Sequence, residues 1–330
     1  MCISVVKAVK NQFTLFTKGL LRAFRVFIAL FCSHKTLRWT GYCIIALGVE
    51  RGCYRLTAGF RDYKILSTLE YEACWNTPPV SMQKQEELKK ILTQPFYYIG
   101  HGGTCYCFSS HDQEYVLKFF KHQHLIETSI LSKFALPSVL DTYRIQYLQK
   151  KNARIQHKRK EVLFASVLLA MERIPEQTGL IHVQLNRNNR IGQVVTLFDK
   201  IGVQHTIDVS QTEFIIQKKA DMIFTILEDL IETDQIDKAK QAIDSLIEYL
   251  EYRCRQGLAD QDPHLAINFG YVKGKAVQID VGSFSIDDSL QLPLNQKKEI
   301  TQILQPLKSW LIRMNSNELN VYIDKKIETL

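Results

Sequence analysis

Four oxygen-bearing side chains that could bind a cation fall within one short stretch, residues 257–282. The stretch reads GLADQDPHLAINFGYVKGKAVQIDVG, and the four residues are Asp260, Asp262, Asn268 and Asp280. Mg²⁺ prefers such oxygen ligands and is commonly held by one or two carboxylates together with substrate phosphates. The residue types therefore predict a site for Mg²⁺ and a phosphate-bearing ligand. Taken alone, an acidic loop of this kind is more often a solvated turn.

The spacing of Asn268 and Asp280 indicates how they would meet. Two short β-prone runs lie between them and flank the turn at residues 273–275, which predicts a small hairpin. Because the two ends of a hairpin lie side by side, Asn268 and Asp280 are predicted to share one ion. Gly282 follows two residues later and lets the chain turn where a side chain would clash.

A second candidate for phosphate binding lies at residues 96–121, FYYIGHGGTCYCFSSHDQEYVLKFFK. Two predicted strands surround a turn at residues 111–113, and the first strand begins at the glycine cluster of Gly100, Gly102 and Gly103. Lys118 lies in the apolar second strand. Backbone N–H groups near glycines can approach phosphate oxygens, and a lysine on the adjacent strand can place its ammonium beside them. Alone, this segment fits a glycine-rich hairpin with a snorkelling lysine at least as well.

The elements around these two segments indicate a mixed α and β protein. A helix is predicted at about residues 154–173, with Glu161 in its first half, and a shorter charged helix at residues 83–92. Four strands are predicted at residues 180–185, 194–198, 205–209 and 213–217, forming a largely antiparallel sheet. Amphipathic helices are predicted at residues 221–232 and 236–255 and in the tail from residue 295 to the end.

Length and composition are those of a globular protein with a sizeable core. The chain has 330 residues, of which 46% are hydrophobic, enough for one large domain or two lobes with an extension. Its eight cysteines show neither a disulfide framework nor paired zinc-ligand spacing, so we interpret them as reduced thiols in a cytoplasmic protein. The predicted divisions are residues 1–79 (extension and linker), 80–220 (sheet and helix) and 221–330 (helices and the hairpin).

The positive charge is concentrated at the N-terminus. Residues 1–64 contain eleven Lys and Arg against two acids, a balance of +9, whereas the whole chain carries +8. The remainder is therefore nearly neutral, which argues against a nucleic-acid-binding protein and for an N-terminal segment that meets an anionic membrane surface. The longest uncharged runs, residues 26–34 and 39–49, are 9 and 11 residues long, short of the roughly 20 apolar residues of a membrane span. Two interpretations stay open: interfacial attachment to a membrane, or helices that pack on the rest of the protein.

The order of these motifs resembles the protein-kinase-like fold, which includes small-molecule kinases such as the aminoglycoside phosphotransferases. The resemblance covers about residues 90–325. It matches Gly100 and Gly102 to the glycine loop, Lys118 to the strand lysine, and Asp280-Val281-Gly282 to the D-x-G motif that holds Mg²⁺ together with Asn268. The strings NFG…VQIDVG and VLKFFK look more narrowly like a kinase-like family of intracellular bacteria.

The departures from the family pattern concern the proton acceptor and the helix glutamate. No H-R-D or H-G-D tripeptide is present, and Pro263 occupies the position five residues before Asn268 where the base is expected. Asp262, six residues before Asn268, and Asp260, eight before it, are the candidates for the base. Glu161 is the candidate partner of Lys118, with Glu172 as its rival. Cys105 stands where the third loop glycine is usual.

Together these features predict a two-lobed α+β kinase-like fold with a basic, apolar N-terminal extension. The predicted activity is ATP- and Mg²⁺-dependent transfer of a phosphoryl group to an unidentified hydroxyl acceptor. Because no A-P-E segment follows Gly282, a small-molecule or lipid acceptor is favoured over a peptide. The alternative is a pseudokinase, a membrane-associated binding module that has lost phosphoryl transfer.

Overall fold

A computed structural model describes residues 35–67, 69, 71–122, 143, 145–147, 150, 162–186 and 191–330. The chain divides into two units, Met1–Gly59 and Phe60–Leu330. In the first unit, the helix α1 (Lys35–Leu56) leaves Trp39, Tyr42 and Leu47 exposed. Within the described ranges, no helix is both long enough and apolar enough to cross a bilayer.

The second unit opens with single 3₁₀ turns at Asp62–Lys64 and Ala73–Trp75, followed by helix α2 (Met82–Leu92). Ser81 caps α2, because its hydroxyl accepts a hydrogen bond from the Lys84 N–H. Phe60 and Ile65 pack in the same core as Phe96 and Tyr106. Phe60 and Ile65 thus pack against the sheet, and the unit that contains it begins at Phe60.

A curled seven-stranded sheet follows α2 in the chain. Its strands are β1 (Phe96–His101), β2 (Cys105–Ser110), β3 (Tyr115–Phe120), β4 (Leu180–Gln184), β5 (Val194–Phe198), β6 (Gln204–Asp208) and β7 (Phe214–Lys218). Their order is β4-β7-β3-β2-β1-β5-β6. All neighbours are antiparallel except β1 and β5, which run parallel. Helix α3 (Ala165–Arg173) precedes β4.

The remaining chain is mainly helical and carries the predicted cation site. Its elements are β8 (Asp221–Met222), α4 (Ile223–Glu232), α5 (Ile236–Arg255), β9 (Leu258–Asp260), α6 (Leu265–Asn268), β10 (Phe269–Val272), β11 (Lys275–Gln278), β12 (Phe284–Ile286), α7 (Pro293–Arg313) and α8 (Asn317–Glu328). Strand β10 pairs with β11 and β8, and β9 pairs with β12.

Three apolar clusters hold these elements together. One lies among the C-terminal helices α4, α5, α7 and α8, and a second covers the face of the sheet that bears Phe96 and Phe119. The third joins the opposite face of the sheet to the helical part, since Phe120 and Ile215 pack with Leu258 and Val281. This third cluster fixes the position of the sheet relative to the segment that carries Asp280.

Candidate functional site

The predicted hairpin between Asn268 and Asp280 is confirmed. Strands β10 and β11 pair with Phe269 opposite Gln278, and the connecting residues Lys273 and Gly274 have φ angles of 51° and 79°. Two left-handed residues in succession are typical of a tight two-residue turn. Beyond the last strand pair, the Ile279 N–H donates to the Asn268 carbonyl at 2.8 Å. Asn268 and Asp280 therefore lie at the open end of one hairpin.

The turn after β11 directs the Asp280 carboxylate. The Gly282 N–H donates to Asp280 Oδ1 at 3.0 Å, and Oδ2 accepts no hydrogen bond from any described residue. A Cβ atom at Gly282 would lie 3.1 Å from Leu163 Cδ1 and 3.3 Å from Asp280 Oδ1. The absence of a side chain at position 282 thus keeps the carboxylate in place, and its exposed oxygen is left for a ligand.

Asn268 is buried, and its side chain connects the hairpin to the acidic loop. Its Nδ2 group donates to the Asp262 carbonyl at 2.7 Å. The amide oxygen, Oδ1, has no donor among the described residues and is available as a hard ligand. The side chain of Asp262 is exposed, whereas that of Asp260 is buried.

Lys118 of β3 reaches the hairpin from the sheet. Its ammonium donates to the Ile279 carbonyl at 2.6 Å, which places a positive charge beside the residue that precedes Asp280 in the chain. On the sheet, Lys118 lies between Cys107 of β2 and Ile215 of β7. The structure therefore brings Lys118 to the end of the hairpin that carries Asn268 and Asp280, although Lys118 and Ile279 are 161 residues apart in the chain.

Two thiols line the same face of the sheet as Lys118. Burial raises the pKa of Cys105 to about 12, and the neighbouring Cys107 adds to the effect. Burial also raises the pKa of Cys107, while the nearby Lys118 ammonium acts in the opposite direction. Both thiols stay protonated at neutral pH, so they are packing groups and not nucleophiles.

The glycine-rich loop between β1 and β2 has free backbone donors. Its Gly102 N–H donates to the Cys105 carbonyl at 3.1 Å. The N–H groups of Gly103 and Thr104 have no acceptor in the part of the chain that the structure describes. A Cβ atom built at Gly100, Gly102 or Gly103 meets no other atom within 4 Å. The loop thus offers two successive N–H groups beside open space, an arrangement suited to an anion.

Lys121, which the sequence analysis missed, holds this loop. Its Nζ donates to the Gly102 carbonyl at 2.7 Å and lies 4.6 Å from the ring centroid of Tyr106. Its backbone N–H donates to the Thr104 carbonyl at 2.7 Å. Burial lowers the pKa of the Lys121 ammonium. Because it lies three positions after Lys118 on an extended chain, it leaves the sheet on the opposite face.

Of the two predicted glutamate partners of Lys118, only Glu172 lies within the described residues. Glu161 lies outside the described residues, and Glu172 is exposed on α3. A different residue connects α3 to the site: the Ser166 hydroxyl donates to the Val281 carbonyl and accepts from the Phe284 N–H, both at 2.6 Å. Ser166 carries no recognisable sequence signal.

The donor set fits a magnesium ion better than a transition metal. Within the described residues, no group of three or more His, Cys, Asp or Glu side chains is arranged to hold a metal. Asp280 and Asn268 supply one carboxylate and one amide oxygen. Mg²⁺ commonly completes such a partial set with waters and substrate phosphates, whereas structural zinc needs four protein ligands.

Comparison with known proteins yields distant structural matches. No family model and no curated protein matches the chain. The bifunctional kinase-methyltransferase WbdD aligns at 14% identity and a TM-score of 0.31, over 68% of this chain and 43% of that one. WbdD with the kinase inhibitor LY294002 gives 14% and 0.31, over 70% and 45%. The Rv3197–erythromycin complex from Mycobacterium tuberculosis gives 13% and 0.32, over 75% and 61%.

The chain thus spans about half the length of the WbdD chains and 61% of the Rv3197 chain. Likeness at TM-scores of 0.31 and 0.32 carries no argument about activity.

Proposed function

We propose that the chain is a two-lobed, kinase-like phosphotransferase that uses ATP and Mg²⁺. One observation carries the proposal: the Lys118 ammonium contacts the Ile279 carbonyl, beside Asp280 and at the open end of the hairpin that begins after Asn268. This contact supports the proposal because it puts a cation from the sheet beside the end of the hairpin that carries Asn268 and Asp280. The free N–H groups of Gly103 and Thr104 add donors for phosphate.

The residues divide into groups that bind and groups that move a proton. Asn268 and Asp280 would hold Mg²⁺, which neutralises charge on the transferring phosphate when bound. The Lys118 ammonium and the loop N–H groups would orient the nucleotide phosphates. Positioning and electrostatic stabilisation supply most of the rate in such reactions.

Asp262 is the proposed proton acceptor because its carboxylate is exposed while its backbone is tied to Asn268. In the proposed reaction the acceptor hydroxyl loses its proton to Asp262 as its oxygen bonds to the γ-phosphorus. The bond from the γ-phosphorus to the β–γ bridging oxygen breaks, and ADP leaves. The acceptor is proposed to be a small molecule or lipid, since only Ser283 to Leu292 separates Gly282 from α7.

Calorimetric titration with Mg-ATP tests the binding part of this proposal. Wild type should bind, and Asp280→Ala should lose most of the affinity because one of two proposed protein ligands is gone. Asp287→Asn is the matched control, because Asp287 lies in the same segment but only caps a 3₁₀ turn through the Ser289 N–H. Absence of binding to wild type refutes the proposal.

Transfer is tested separately by ADP release in the presence of a panel of hydroxyl compounds. An active enzyme should produce ADP, and Asp262→Asn should abolish that release while Mg-ATP binding stays at the wild-type level. If wild type binds Mg-ATP and releases no ADP with any acceptor, the pseudokinase alternative holds: the protein is a nucleotide-dependent binding module.

We also propose that the first unit attaches the protein to an anionic membrane surface. Helix α1 carries exposed Trp39, Tyr42 and Leu47, with the basic residues Arg51 and Arg55 in its last turns. Apolar side chains with flanking cations suit the headgroup region. Vesicles containing phosphatidylserine should therefore sediment the full-length chain, and vesicles of phosphatidylcholine alone should not.

A charge-reversal variant sharpens this test. Arg51→Glu with Arg55→Glu should release the protein from the anionic vesicles. The control, Lys89→Glu with Lys90→Glu, makes the same charge change on the exposed surface of α2 and should leave binding intact. Equal binding by both double variants would contradict attachment through α1.

A further inference from the structure

The buried carboxylate of Asp260 contacts both halves of the candidate site. Its Oδ1 accepts from the Asp262 N–H at 2.9 Å and from the Ser283 hydroxyl at 2.6 Å. Its Oδ2 accepts from the Gln278 Nε2 group at 2.6 Å. Asp260 also pairs with Phe284 between β9 and β12. One side chain therefore touches the loop of Asp262 and the segments on both sides of Asp280.

Gln278 extends these contacts to Asp280 itself and to α5. Its Nε2 group also donates to the Asp280 carbonyl at 3.2 Å. Its Oε1 accepts from the Tyr249 hydroxyl at 2.7 Å and from Arg253 Nη1 at 3.4 Å. Gln278 is fully buried, so water cannot take the place of any of these hydrogen bonds.

Arg253 compensates the buried negative charge. Its side chain has no exposed surface, its Nη1 lies 3.8 Å from Asp260 Oδ2, and its Nη2 lies 2.7 Å from Glu299 of α7. A buried carboxylate is tolerated only when it is paired and hydrogen-bonded. Asp260 satisfies both conditions, and its side chain has no surface left for a substrate proton.

From this geometry we propose that Asp260 is a positioning residue that couples the proton-acceptor loop of Asp262 to the metal-binding turn of Asp280. The inference rests on the proposed function and deepens it. The chemistry favours a carboxylate, because three donors point at its two oxygens, and two of them, the Asp262 N–H and the Gln278 NH₂ group, cannot accept a hydrogen bond. An asparagine would turn its NH₂ group towards either Gln278 or the donors of Asp262 and Ser283. The loop and the turn would then move apart.

Metal affinity separates a positioning role from a merely structural one. Mn²⁺ in the presence of ATP is the probe, and its binding to the full chain is followed by electron paramagnetic resonance. Residues that orient metal ligands typically change metal affinity by about 10-fold to 100-fold when mutated. Asp260→Asn should therefore weaken Mn²⁺ binding by about 10-fold, although Asp260 is not a ligand. Asp287→Asn, the control on the same segment, should bind as wild type does.

A milder variant covers the case in which Asp260→Asn does not fold. Ser283→Ala removes one donor to Asp260 and leaves the charges intact, and it should weaken Mn²⁺ binding in the same direction and by a smaller factor. If Asp260→Asn folds and binds Mn²⁺ as tightly as wild type, the coupling between the Asp262 loop and the Asp280 turn is refuted. If Asp260→Asn is unfolded, wild-type Mn²⁺ affinity in Ser283→Ala refutes it instead. Wild type that binds no Mn²⁺ refutes the proposed function and, with it, the coupling.

Discussion

Acid should destabilise this protein through one buried histidine, His182 of β4. The imidazole is 6% exposed, its Nε2 has no hydrogen-bond partner among the described residues, and its ring centroid lies 5.6 Å from that of Phe214. Burial, and to a smaller extent the charge of Lys84, lowers the pKa of His182 from 6.5 to about 4. The folded protein therefore resists protonation that the unfolded chain accepts.

The sign and size of the effect follow from linkage. Above pH 6.5 the imidazole is neutral in both states and contributes nothing to the pH dependence. Between pH 6.5 and about 4 the unfolded chain binds the extra proton, so stability falls as pH falls. At about 1.4 kcal/mol per unit, the free energy of unfolding drops by about 2 kcal/mol at pH 5 and by about 3 kcal/mol below pH 4.

Urea denaturation at pH 7 and pH 5 measures this loss. His182→Leu keeps an apolar group against Phe214 and cannot be protonated, so its stability should fall by about 2 kcal/mol less than that of wild type over this interval. His111→Leu, at an exposed position in the turn before β3, is the matched control for a histidine-to-leucine substitution. Equal losses in wild type and His182→Leu would refute the assignment of the acid sensitivity to His182.

Three further substitutions probe the site. Lys118→Met removes the charged donor to the Ile279 carbonyl and should lower the free energy of unfolding by about 2 kcal/mol in urea and weaken Mg-ATP binding in calorimetry. Gly282→Ala crowds Leu163 and the Asp280 carboxylate and should lower the free energy of unfolding by about 1–3 kcal/mol in the same denaturation assay. Gly192→Ala, at an open position, should leave the free energy of unfolding nearly unchanged. Lys121→Met frees the Gly102 carbonyl and should speed hydrogen exchange of the Gly102 N–H, which is bonded to the Cys105 carbonyl, and raise the KM for ATP. Unchanged exchange of the Gly102 N–H is the contrary result.

Local patterns in the sequence were sufficient for most of the individual elements. Helix α5 and strand β5 have the predicted bounds, because each has a complete period of apolar residues and a clear break at its ends. The hairpin before Asp280 was predictable from the Lys273-Gly274 turn. The order of the strands was not, since the pairings of β7 with β3 and of β1 with β5 depend on contacts between distant segments.

The same limit applies to the site. Lys118 and Ile279 are 161 residues apart, so only the fold can bring them together. Gln278, Arg253 and Ser166 lie in apolar strands and helices, where a polar residue carries no signal of its partner. Asp260 looked like Asp262 in the sequence, and burial alone distinguishes them: one is enclosed by donors and the other faces solvent.

The loop between Asp262 and Asn268 is one residue longer than the kinase-like pattern, and its hydrogen bonds show how the chain accommodates that residue. Five residues before Asn268 stands Pro263, which has no acidic group. The chain, however, turns after Asp262, whose carbonyl accepts from the His264 N–H at 2.8 Å, and then winds through α6 so that Asn268 Nδ2 meets the same carbonyl at 2.7 Å. The loop absorbs the added residue and still ties Asp262 to the amide that would hold the metal. The loop of the proposed base is therefore held to Asn268 by this hydrogen bond despite the added residue.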